Sequence, residues 1–247
     1  SHTNAKWIVD KNWLAGNEIV TPVRKIRVVL DYPLLVLIVA DEDLVPIVEI
    51  AMNGRTRQEI FDWLSEQFAI LKLDVSGFTP ALHYEIPDHP VMHGKPFDMK
   101  NPLYYRELAN YRTNGDILLR HFTSLVKPDE PVRVWPHHFD DGSYLPMRFK
   151  DNQPIASISL GMAVADPYYD EPYFYVTVWT SDGIDYTNKP MVSPPGKWHE
   201  KEWMGQVLTA VEIVKHDLSE EQIAVSYRFM EQAIKNAMSL IGVEQKT

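Results

Sequence analysis

The chain of 247 residues contains no cysteine. That excludes disulfides, Cys-ligated zinc, iron–sulfur clusters and a thiol nucleophile, and it suits a reducing compartment, so a cytoplasmic protein is expected. Long apolar runs are also lacking. The best candidate, Leu34 to Ala40, is bounded by Pro33 and Asp41 and falls far short of the roughly 18–20 residues a bilayer requires. No basic-then-apolar stretch opens the chain, so no secretory leader is expected. Positive charge is scarce: 24 Lys and Arg stand against 34 Asp and Glu, a net charge of −10 with no basic stripe. Phosphate backbones and anionic lipid are held by basic patches, which argues against nucleic-acid and membrane partners. Phosphate-binding glycine loops, dinucleotide fingerprints and nucleophile elbows are absent as well. His199-Glu200 lacks the second histidine of a zinc-protease helix, and His89 and His93 are separated by Pro90, which spoils helical ligand spacing.

What is present is an ordinary globular composition, 45% hydrophobic and 23% charged. Residues 23–52 read as three strands, Val23 to Leu30, Leu34 to Ala40 and Leu44 to Met52, separated by acidic and proline turns. Thr56 and Glu59 form a capping box ahead of a helix with Ile60, Leu64, Phe68 and Leu71 on one face. Another strand is expected within Leu73 to Glu85, then a proline-rich link over 86–101. Asn101-Pro102 predicts a helix start, with a helix to about Val126 and a weak point at Asn114-Gly115. Strands are expected near 132–140, 154–164 and 173–179. Trp203 to Val214 fits a strand or a short helix. A last helix is expected from Ser219, with Gln222 as capping-box partner, to about Ile241. Strands outnumber the helices available for crossovers. The pattern therefore predicts an α+β protein with largely antiparallel sheets and a long C-terminal helix, in two halves, 1–97 and 98–247, that can also form one continuous domain.

The densest chemistry lies in Val132-Arg133-Val134-Trp135-Pro136-His137-His138-Phe139-Asp140-Asp141. On a strand, Trp135 and His137 share one side, His138 and Asp140 the other. Pro136 marks an edge or a strand end, where side chains are aimed into clefts. His137, His138 and Asp140 are candidate ligands for a divalent metal. Alternatively His138 acts as a base oriented by Asp140. The competing reading is structural: the histidines bond to backbone or tyrosine, and Asp140-Asp141-Gly142 is a turn. A site requires at least three of His83, His137, His138, Asp140 and Asp141 to converge on a pocket.

A second clue is the hairpin after it. Ser157, Ser159, Gly161 and Ala163 share one strand face, and Tyr173, Tyr175, Thr177 and Trp179 share a face of the next. If those faces coincide, small residues beside amphipathic aromatics leave room for a ligand or for a closely packed helix. The connecting loop holds Asp166, Asp170 and Glu171, which suits either calcium or, more simply, a solvated acidic turn.

The series Leu73-Asp74-Val75, Glu85-Ile86-Pro87-Asp88, Tyr105, Val134 to Asp140 and Tyr173-Phe174-Tyr175 resembles an uncharacterised bacterial domain-of-unknown-function family. Its members are somewhat longer, two-half α+β proteins. The likeness is made of scattered short matches over most of residues 20–215, and the paired His137-His138 departs from the family's small or aromatic residues there. It implies the two-half plan and brings no catalytic roles. The expectation is a protein that binds a small polar or aromatic ligand in a cleft of the second half, walled by Trp135, His137, His138, Asp140, Tyr173, Tyr175 and Trp179. The alternative is a non-catalytic interaction module whose His/Asp segment serves packing.

Overall fold

The computed structural model describes residues 4–81 and 84–243. The chain is α+β, built on two sheets whose paired strands run antiparallel, with a long C-terminal helix. It forms two compact units. The first holds the described residues up to Thr113 together with Val134–His138; the second holds Asn114–Arg133 and the described residues from Phe139 onward.

In the first unit, β1 (Lys6–Ile8), β2 (Trp13–Ala15), β3 (Ile19–Val20), β4 (Lys25–Asp31), β5 (Val36–Asp41) and β6 (Pro46–Ala51) make one sheet in the order β1-β2-β4-β5-β6, with β3 also on β4. The three expected strands are β4 to β6; the short β1 to β3 carry too few residues to show a period. Helix α1 (Arg57–Ile70) starts as the sequence predicts: Thr56 Oγ1 accepts from the Glu59 amide, and Glu59 accepts from the Thr56 amide at 2.7 Å. Its Phe68 and Leu71 pack on Ile26 and Val39 of the sheet, while Trp13, Val29 and Ile38 form the core of the other face. No strand occurs among the described residues of 73–85. Asp74 instead caps a turn through the Ser76 amide, and Phe78 stacks on Phe61 at 4.5 Å, so Leu73, Val75 and Phe78 are half-buried within a loop. Val134 belongs to this unit because it exchanges backbone bonds with Ala5, at 3.0 and 2.9 Å.

Helix α2 (Pro102–Val126) is continuous through Asn114-Gly115. Asn101 Oδ1 accepts from the Leu103 amide at 3.1 Å, the expected cap. Gly115 packs closely on Met162: a Cβ there would lie 2.4 Å from Met162 Sδ, so that side chain would have to shift. The short strand β7 (Arg133–Trp135) straddles the division between the units. The second unit's sheet is formed by β8 (Asp140–Lys150), β9 (Gln153–Ala163), β10 (Tyr173–Thr180), β11 (Lys197–His199) and β12 (Gly205–Thr209), in the order β11-β12-β10-β9-β8. Asp140-Asp141-Gly142 is therefore the start of a strand and not a turn. Residues 203–214 are both things expected of them, β12 followed by the short helix α3 (Ala210–Val214). Helix α4 (Ser219–Leu240) covers one sheet face with Val225, Phe229, Met230, Ala233 and Ala237. It is capped differently from the expectation: Leu218 is the N-cap with no side-chain bond, and Gln222 donates to the His216 carbonyl at 2.7 Å. Among the described residues, no helix is long and apolar enough to cross a membrane.

Candidate functional site

The two hairpin faces coincide. Register places Tyr173 opposite Ala163, Tyr175 opposite Gly161, Thr177 opposite Ser159 and Trp179 opposite Ser157. Gly142 of β8 lies opposite Gly161. The space over these glycines is filled by the protein itself: a Cβ on Gly161 would lie 2.4 Å from the Tyr175 ring and hydroxyl. Glycine is required here for close approach. The Tyr175 hydroxyl then donates to Asp140, which is buried.

A polar chain continues along the same face. Tyr173 donates to Asp166 at 2.7 Å, and the other Asp166 oxygen accepts the amides of Tyr168 and Tyr169 at 2.8 and 3.1 Å. Asp166 is therefore taken up in closing its own turn, while Glu171 accepts from the Val211 amide. The Tyr169 hydroxyl meets His199 Nδ1 at 3.0 Å, while His199 Nε2 meets the Lys201 carbonyl at 2.7 Å. A carbonyl only accepts, so Nε2 carries a proton, and in the neutral imidazole Nδ1 accepts from Tyr169. His199 also stacks on Trp203 at 4.1 Å. Burial first, and the Asp166 carboxylate second, push the Tyr173 hydroxyl well above the ordinary tyrosine range. Tyr175 moves the same way, through burial and then the Asp140 charge. These are protonated hydroxyls held by carboxylates. They tie the sheet face together and do not present an acid or base to solvent.

The candidate residues thus divide. Asp140, Tyr173 and Tyr175 come together, with the two tyrosine rings 6.3 Å apart. Trp179 sits at the open end of the face, 49% exposed. Trp135, His137 and His138 belong to the first unit. His137 and His138 are exposed on a turn, their rings 4.5 Å apart and Trp135 6.4 Å from His137. Phe139, at φ 55°, is the turning point between them and Asp140. Asp141 is buried on the face of β8 opposite Asp140, as strand alternation requires. His83 lies outside the described residues. Among the described residues no group of three or more His, Asp or Glu is arranged to hold a metal ion.

A concavity of the second unit lies elsewhere. A groove of about 620 Å³ is lined by His121, Phe122, Leu125 and Val126 of α2, Met147 of β8, Tyr227, Glu231, Ile234 and Met238 of α4, and Val243. Its aromatic corner is built from His121, Phe122 and Tyr227, with ring centroids 5.1 to 5.4 Å apart. Leu125 is 68% exposed at its lip. Sequence reasoning missed it because its walls come from two helices far apart in the chain, and Tyr227 lies in the apolar stripe of the last helix, where it reads as core. The available signal was Leu125 and Val126 at the very end of α2, apolar residues beyond the helix's buried stretch. No protein-family model, no curated protein and no solved structure is similar to this chain.

Proposed function

We propose that the second unit binds a small, flat, largely aromatic molecule in the groove between α2 and α4. The observation that carries this reading is the groove's size and lining. It falls within the few hundred to one thousand Å³ typical of small-molecule sites, with apolar walls and few polar groups. His121 and Tyr227 supply a stacking surface with hydrogen-bonding edges, and Glu231 marks one end. Met147 and Met238 are adaptable walls for an aromatic guest. This keeps the expected ligand class and the expected half of the chain, but moves the site off the His/Asp segment. Metal-assisted or acid–base chemistry at His138 and Asp140 lacks support, because one side chain is exposed on a turn of the first unit and the other is engaged by Tyr175. The absence of cysteine and of basic patches suits a cytoplasmic binding protein without nucleic-acid or membrane partners.

The test is titration with a naphthalene-type fluorophore, in the parent and in Leu125→Glu. Leu125 is exposed, so the variant keeps the fold while placing a charge across the groove mouth. The expected result is saturable one-to-one binding to the parent, weakened roughly tenfold or more in the variant. Equal binding by both, or none by the parent, would sink the proposal.

A further inference from the structure

On the other flank of α4 lies a second groove, of about 370 Å³, bounded by the loop at Ser193-Pro194-Pro195. We infer that it binds a small oxyanion, a carboxylate or phosphate group, with Arg228 as the principal donor. Its lining is distinct from that of the aromatic groove proposed above except for Glu231, which borders both.

Charge and bonding point to an anion. Arg228, Gln232 and Lys235 line this groove along one stripe of α4, at i, i+4 and i+7. The Arg228 guanidinium has no hydrogen bond or ion pair among the described residues, in a chain whose acidic groups outnumber its cations. Lys235 is partly compensated by Glu231, at 2.7 Å, which also lines the groove. That leaves two cations to one carboxylate around the space, with Ser193 also in its lining. A guanidinium fork takes both oxygens of a carboxylate or phosphate at once.

The walls are set before any ligand arrives. Asn236, buried on α4, donates to the Met191 carbonyl at 2.9 Å. Trp198 donates to the Pro190 carbonyl at 2.9 Å. Gly196 packs so closely on α4 that a Cβ there would lie 2.7 Å from the Phe229 ring. The loop is thus clamped on α4 at both ends of the groove, and a preorganised site loses less entropy on binding.

The experiment measures thermal stabilisation and calorimetric binding of inorganic phosphate and of succinate, at constant ionic strength set with chloride. Parent, R228K and R228Q proteins are compared. Saturable binding of either anion to the parent is expected, weakened roughly tenfold in R228K, where the fork is lost but the charge kept, and abolished in R228Q. Phosphate alone, or succinate alone, would identify the head group. Arg228 is exposed and bonded to nothing among the described residues, so both variants should melt like the parent without anion. Absence of saturable binding in the parent, or equal binding in R228Q, would overturn the inference.

Discussion

Tyr175 on β10 reaches across Gly161 of β9 to donate its hydroxyl proton to Asp140 on β8. One oxygen of a buried carboxylate, Oδ2, is thereby bonded by a residue that only the antiparallel register brings near. Hydrogen bonds to charged groups contribute about 1.5–3 kcal/mol. Tyr175→Phe is therefore expected to lower unfolding stability by about that amount, read as a shifted urea midpoint with an unchanged slope. A loss below 0.5 kcal/mol would show that Asp140 finds its stabilisation elsewhere.

The two raised tyrosines give stability a definite sign with pH. Tyr173 and Tyr175 hold their protons more tightly folded than unfolded. Their contribution is complete below about pH 10, the ordinary tyrosine value, where both states are protonated. Above it the unfolded chain ionises first, so stability falls as pH rises toward the folded values. Melting temperature should drop between pH 10 and 11.5, and the double variant Tyr173→Phe, Tyr175→Phe should flatten that drop relative to its own neutral-pH value.

Gly161→Ala tests the same face from below. The added methyl would lie 2.4 Å from the Tyr175 ring and 2.6 Å from the Asp141 carbonyl oxygen. Overpacking typically costs about 1–3 kcal/mol, and the neighbouring backbone leaves little room to give. Thermal denaturation should show a loss in that range, whereas Gly77→Ala, with open space around its Cβ, should be near neutral.

His137 and His138 occupy an exposed turn with no third ligand of the metal-binding type beside them among the described residues. His138→Ala is expected to change stability by less than about 0.5 kcal/mol and to leave metal content, measured by elemental mass spectrometry, as in the parent. Stoichiometric metal in the parent that disappears in His138→Ala would restore the site read from the sequence.

Local signals were legible where local forces decide structure. The Thr56/Glu59 capping box, the Asn101 cap and the three strands from Lys25 to Ala51 each depend on neighbours within a few residues, and each formed as expected. The same logic failed where a short pattern had two outcomes. Gln222, three residues after Ser219, matched a capping box but bonds to the preceding turn. The apolar run from Leu73 matched a strand but packs as a loop on α1. Asp140-Asp141-Gly142 matched a turn but opens the strand β8.

By itself the sequence determined the α+β class, the alternation that sends Ser157, Gly161, Tyr173 and Tyr175 to one side of their strands, and the exclusion of thiol and disulfide chemistry. Those follow from residue type and period. Tertiary structure alone decided which chemistry meets. One left-handed residue, Phe139, turns the chain between the paired histidines and Asp140, and strand register delivers Asp140 to Tyr175. Tertiary packing of α2, α4 and β8 made the groove of His121, Phe122 and Tyr227, because its two helical walls come from segments about a hundred residues apart in the chain, and no period within one segment encodes a distance between two.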